Sequence, residues 1–468
     1  MKRSLMCLML VLVAGSAAVA APWPDATPSG GDDRSVLELT VYNHGLGLVR
    51  ETRALQLPDG PSRLEFRDVP AQIRPRTLII EPSRGGAFRI LEQSYEFDLM
   101  TQKKILEKYV GRTLSWIQED GRRIEGTLLG MAEGPVYEVA GEIVFDVPGR
   151  LALTSLPNNL RARPTLVWRL EADGAGTRQV DVSYLTGGLS WSADYVLQLD
   201  DKGTSADLQA WVSIENRCGT TFDEAGLMLL AGDVNLVGPA PMLGGRKAMM
   251  AMESMQADGI VEESVGDFHL YTVPGTTQLK DNEIKQISLF RVEGVPVAKH
   301  YRLTSFGSNH YRSGRAGPPQ EKISVVHAFR NGEREGLGVP LPAGVIRVYG
   351  RSASGARQLL GESRIDHTPR DEKLELATGF AFDLVAERRQ VSERKLGDRT
   401  QESAWEITLR NHSVDDVMIE VLESAGGEWS IQASSHEAHK LDAGRFRFDI
   451  PVVAGRETIL TYTVRVSW

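Results

Sequence analysis

The sequence predicts an all-β, multi-domain chain of antiparallel β-sandwiches, and three observations carry that prediction. Within residues 178–232, Leu189, Trp191, Ala193, Tyr195, Leu197 and Leu199 recur in steps of two, with Ser190, Ser192, Asp194 and Gln198 between them. That is the period of a half-buried strand. Asp200-Asp201-Lys202-Gly203 then supplies turn chemistry, and Leu208, Ala210, Val212 and Ile214 resume the alternation, so the stretch reads as a long hairpin. Finally, a strand, an asparagine and a turn recur together at Asn43, Asn216 and Asn411. An Asn side chain can close a turn by bonding backbone amides two residues on. The copies are too far apart for a solenoid and fit serial sandwiches.

Residues 1–20 read as a secretory signal peptide. Lys2 and Arg3 form the positive end, Leu5 to Ala14 the apolar middle and Ala18-Val19-Ala20 the small-residue exit. The apolar run is well short of the ~20 residues that span a bilayer. Residues 21–35, rich in Pro, Gly and Asp, should be a flexible lead-in. An N-terminal β segment follows over 36–96. Residues 97–110, FDLMTQKKILEKYV, carry the best helical spacing, with Asp98 as the expected cap and Leu99, Ile105, Leu106, Tyr109 and Val110 near one face. The helix opens a module over 97–157 whose short, glycine-cut strands follow a small SH3-like or Sm-like barrel. A central sandwich is expected over 158–400, interrupted by a mobile loop at 238–266. An Ig-like sandwich closes the chain over 401–468. Its last strand alternates Leu460, Tyr462, Val464 and Val466 and ends on Trp468, a pattern shared with outer-membrane barrels. Strands shorter than the ~9–11 residues a barrel needs favour the soluble sandwich.

The formal charge is −9, and loss of Lys2 and Arg3 makes the mature chain more acidic still. Without a basic block there is no electrostatic footprint for nucleic acid. Cys7 and Cys218 are the only cysteines. Cleavage leaves Cys218 alone, so no internal disulfide forms and the cores must hold by burial. An unpaired thiol at this turn is read as structural.

Residues 331–369, NGEREGLGVPLPAGVIRVYGRSASGARQLLGESRIDHTP, together with YLTGGLSWSADY, IENRCGTTFDEAGLMLLAGDV and the ending TYTVRVSW, resemble a bacterial family of unassigned function. It is the domain of unknown function numbered 4139, distantly kin to the mucoidy-inhibitor A proteins. Those relatives carry a long coiled coil where this chain has its compact run at 111–157. The family brings no agreed activity or catalytic residues.

Sites of chemistry are sparse. Asp366-His367 invites an acid–base reading, but strand neighbours face opposite ways and no nucleophile elbow is nearby, which favours turn capping. His436-Glu437-Ala438-His439 is one residue short of the HExxH zinc spacing. Met249, Met250, Met252 and Met255 are soft thioethers suited to Cu(I), against the plainer reading of a solvated or docking loop. No catalytic residue, cofactor or metal site is therefore assigned. The expectation is a periplasmic or secreted cell-envelope protein with a non-catalytic, partner-binding or scaffold role. Its partner would be an envelope protein or a polysaccharide, with membrane association open but not predicted. The competitors are an outer-membrane barrel and an enzyme whose site is invisible in sequence.

Overall fold

The central hairpin is present over its full length. The computed structural model describes residues 23–98, 100–156, 160–232, 234–235, 256–257, 260–305 and 320–468. In it, strand Leu189–Leu199 pairs with Ser205–Asn216 in unbroken antiparallel register, from Leu189↔Asn216 to Leu199↔Ala206. The Asp200 carboxylate closes the turn by accepting the amides of Thr204 at 2.8 Å and Ser205 at 3.1 Å. Those bonds hold its carboxyl below the usual range. The chain is nearly all β, a multi-domain, sandwich-like arrangement of several sheets with one α-helix among the described residues.

The described chain divides into two compact units. The first takes the described part of Met1–Glu38, with Leu48–Gly187 and Cys218–Phe222. One of its sheets runs in the order Ala26–Ser29, Gly60–Phe66, Thr165–Ala172, Phe88–Glu96. The lead-in expected to be flexible over 21–35 is thus partly a strand, parallel to Gly60–Phe66. It is fastened because the Ser29 carbonyl accepts from buried Arg53 at 3.1 Å and from the Arg67 amide at 2.8 Å. Arg53 lies 3.6 Å from the Phe66 ring centroid, and Phe66 stacks on Trp168 at 4.9 Å. Glu51 compensates the buried cation, accepting from Arg53 at 3.0 Å, Arg34 at 2.6 Å and the Tyr184 hydroxyl at 3.0 Å. Burial raises Tyr184 well above an ordinary phenol.

The module after it has the expected helix, shortened to Gln102–Glu107. Thr101, not Asp98, is the cap, its hydroxyl accepting the Lys104 amide at 3.2 Å. Asp98 instead pairs with Lys108 at 2.7 Å, and Leu99 lies outside the described residues. Leu106 and Tyr109 pack with Leu114, Trp116, Leu128 and Tyr137 over a five-stranded sheet. Its order is Glu142–Val144, Val136–Val139, Arg123–Gly130, Thr113–Ile117, Arg150–Ala152.

The second unit takes Leu39–Gly47, Gly188–Arg217 and Asp223–Trp468. Its first sheet orders Glu283–Pro296, Ser205–Asn216, Leu189–Leu199, Gly344–Arg351 and Arg357–Ile365. The Leu189–Leu199 strand meets Gly344–Arg351 in parallel, and at Gly344 any side chain would be driven into the Ala193 carbonyl. On the buried face, the Tyr195 hydroxyl donates to Pro342 O at 2.8 Å and Trp191 Nε1 to Leu230 O at 3.1 Å. The aromatics that dominate the sequence pattern thus also satisfy their own polar atoms inside the core.

The second sheet has nine strands: Glu428–Ser434, Glu457–Ser467, Thr400–Asn411, Lys373–Gly397, Glu321–Arg330, Ala298–Thr304, Val417–Ser424, Arg445–Val452 and Ala438–Lys440. Side chains from its two ends, such as Trp405 and Tyr462 against Ile419 and Phe448, share one core. The Ig-like sandwich expected over 401–468 is therefore not closed on itself. Lys373–Gly397 pairs with Thr400–Asn411, and Val417–Ser424 runs parallel to Ala298–Thr304. Leu460, Tyr462, Val464 and Val466 are buried in that core, which is the packing of a sandwich strand. No helix among the described residues is long and apolar enough to cross a membrane. The end of the loop expected at 238–266 is a strand instead, Ile260–Val265 antiparallel to Phe268–Leu279.

Candidate functional site

The asparagine elements lead to the site. Asn216 Nδ2 donates to Leu279 O at 3.2 Å and Lys280 O at 3.0 Å, and Asn411 Nδ2 to Asp415 O at 2.8 Å and Val452 O at 3.1 Å. Asn411 Oδ1 accepts the Ser413 amide two residues on at 2.9 Å. These side chains lock a strand end to a neighbouring segment as well as closing a turn. A fourth instance, missed in the sequence, is Asn331 at the end of Glu321–Arg330. It is fully buried, donates to Val339 O at 2.7 Å and Pro369 O at 2.9 Å, and accepts the Gly338 amide at 3.3 Å. Gly338 has φ +79°, a left-handed conformation that favours glycine. The backbone of Asn331 also bonds Asp371 N at 2.7 Å and Glu372 O at 2.8 Å. The signal was present as Phe329-Arg330-Asn331-Gly332, the same strand–asparagine–turn order.

The lock holds open a cleft of about 510 Å³ lined by Ala298, His300, Ala328, Phe329, Arg330, Asp371, Glu372 and Lys373. Strand pairing builds it: Ala298 lies opposite Ala328, and Arg330 opposite Lys373. Exposed Ala298 and buried Ala328 add little bulk, and exposed charges of both signs stand at the rim. Behind them runs an ionic chain. His300 Nδ1 lies 2.9 Å from Glu420, Arg302 bonds Glu420 at 3.0 Å and Glu375 at 2.7 Å, and Lys373 bonds Glu375 at 2.9 Å. The hydrogen bond from Arg302 chiefly, with help from Lys373, overcomes desolvation and holds the Glu375 carboxyl down at about 2. Arg330 makes no ion pair among the described residues. No hydroxyl or thiol stands among the lining residues, so the arrangement suits binding charged groups better than nucleophilic chemistry.

The residues singled out in the sequence lie elsewhere. His367 Nδ1 accepts the Ala343 amide at 3.2 Å, and Thr368 Oγ1 donates to Asp366 O at 2.8 Å, so the pair shapes a turn. His436 is bonded locally to Ser435, while His439 lies 3.9 Å from Asp449. Among the described residues no group of three or more His, Cys, Asp or Glu could hold a metal. Met249, Met250, Met252 and Met255 lie outside the described residues, as does the leader at 1–20. Cys218 is buried and not in a disulfide.

Compared with protein-family models and with curated protein sequences, the chain matches none.

Proposed function

We propose that this chain is an exported, non-catalytic binding protein of the cell envelope, periplasmic or secreted, that holds an envelope polypeptide in the charged cleft. The observation that carries the reading is the cleft itself: exposed charges of both signs converge beside Ala298 and Ala328, with Arg330 unpaired among the described residues. Such a rim complements a segment bearing both charges, steering its approach and fixing its register more than adding raw affinity. Export is supported by the charged, apolar and small-residue order of residues 1–20.

A photo-crosslinking residue at Ala298 tests the cleft. The expected outcome is one discrete adduct in intact cells, lost on double charge reversal by Arg330→Glu and Lys373→Glu and weakened by salt. A smear, or an adduct indifferent to the reversal, would count against it. Release of the protein by osmotic shock, with a new N-terminus after Ala20, checks the compartment.

A further inference from the structure

The first sheet of the second unit carries a different kind of site, on the face opposite its core. We infer that this face binds a neutral saccharide, one sugar ring seated against Ser190, Ser192, Ser213 and Glu215. A cleft of about 230 Å³ lies there, walled by Asn43 and Ile284. That is below the ~300–1,000 Å³ of drug-sized sites and suits a single ring.

Register explains the clustering. Ser190 lies opposite Glu215, Ser192 opposite Ser213, and Ser213 opposite Gln286, so alternation turns all five side chains to one face. The Ser190 and Ser192 hydroxyls have no hydrogen-bond partner among the described residues. Asn43 donates to Trp191 O at 3.4 Å, whereas its Oδ1 atom is buried and has no acceptor bond among the described residues. That buried acceptor lies behind the wall, while the open Ser190 and Ser192 hydroxyls face the cleft itself. Ser190 and Ser192 thus offer two-way hydroxyls, and the Ser213 hydroxyl, donating to Asp194 at 2.6 Å and accepting from Gln286 at 3.0 Å, packs beside them, a surface suited to a polyol.

The charges argue for a neutral ligand. Asp194 bonds Arg347 at 3.1 Å and Ser213 at 2.6 Å, and Arg347 also bonds Glu362 at 2.8 Å. Glu215 pairs with Arg217 at 2.5 Å. The ionised groups nearest the cleft are already compensated, so an ion would find no unpaired counter-charge there, in contrast to the rim around Arg330. Two residues from Ser213 on the same face stands Trp211, half-buried and opposite Asp194. A partly exposed indole offers a flat apolar surface for the C–H face of a second ring. The site goes beyond the proposed cleft and shares no residue with it.

The test is a tryptophan-fluorescence titration of the full chain with glucose, galactose, mannose and N-acetylglucosamine, repeated with oligomers of whichever binds. Saturable binding of at least one, unchanged between about 0.05 and 0.5 M salt, is expected. Ser192→Val, at an exposed position, should weaken it about tenfold without altering circular dichroism. Trp211→Phe should weaken oligomer binding more than monomer binding. Absence of saturation with all four sugars overturns the proposal, as does binding that salt abolishes or that Ser192→Val leaves intact. The cleft crosslink from Ala298 should survive Ser192→Val, so the two readings can fail separately.

Discussion

Arg388 and Arg302 belong to the same nine-stranded sheet, and each holds two glutamates. Arg388 bonds Glu321 at 2.7 Å and Glu423 at 2.5 Å, with side chains 1 %, 3 % and 0 % exposed. Arg302 bonds Glu375 and Glu420, with side chains 20 %, 35 % and 12 % exposed. The chemistry is the same and the depth differs. In the buried triad, desolvation weighs most on Arg388 and opposes its charge, and the Glu423 carboxylate with the bonds to Glu321 outweighs it, holding the guanidinium charged. All its partners are internal, so it can only support the fold. The Arg302 chain ends at a rim open to solvent, where the same pairing would orient charges toward the proposed ligand. Depth is what would separate an Arg–Glu network that supports the fold from one that serves the proposed site.

The largest effect should come from breaking the buried triad. Arg388→Met leaves two carboxylates facing each other in the core and should cost ~3–5 kcal/mol, read by chemical denaturation. Adding Glu321→Leu and Glu423→Leu should recover most of it. If Arg388→Met costs no more than Arg302→Met, depth is not what separates the networks.

His327 extends the comparison to a buried ionisable group without an ion pair. It is 3 % exposed, lies 3.2 Å from Thr378 Oγ1, and is pushed down to about 4 by burial first and Lys299 second. Its folded pKa lies below the ordinary 6.5, so between those values the unfolded chain binds more protons. The neutral imidazole's contribution is full above about 6.5 and is lost as pH falls toward 4. The loss should be about 3 kcal/mol, and stability of a His327→Gln variant should be flatter across that window. An unchanged slope would show that the imidazole already charges in the fold.

Smaller effects belong to the open network. Arg302→Met should cost ~1 kcal/mol or less in stability and still reduce crosslinking from Ala298. Smallest in energy is the titration of Glu375, whose midpoint of about 2 should move back toward 4.5 in that variant. The carboxyl's depressed pKa adds stability above the ordinary carboxylate range, lost as pH falls through about 2. Carboxyl-carbon NMR reads both midpoints, and a wild-type midpoint near 4.5 would mean that Arg302 is not engaged in solution.

Much of the architecture was legible because period two and turn chemistry are local signals. Leu189 to Leu199 and Asp200 to Gly203 announce the hairpin by themselves. The helix cap was misplaced because Asp98 and Thr101 both suit the position, and only the Lys108 partner shows where Asp98 goes. The closure of 401–468 was misjudged because a strand's partner is not written in its own alternation. The candidate cleft was illegible for the same reason. Arg302 and Glu420 are 118 residues apart, and Arg302 and Glu375 are 73 apart, with no motif spacing to join them. Asn331 was the exception, legible in its strand–asparagine–turn order and overlooked.

The strand Lys373–Gly397 has 25 residues and spans roughly 80 Å if fully extended. Its first half pairs with Glu321–Arg330 and its second with Thr400–Asn411. One continuous backbone therefore belongs to both ends of the sandwich. The strands Glu321–Arg330 and Thr400–Asn411 cannot leave the sheet without stripping hydrogen bonds from that shared rail, so these three strands should behave as one cooperative foldon, their amides exchanging together. A pull on Lys373 would then be shared between those two neighbours, as tension in a cable is carried past every clamp.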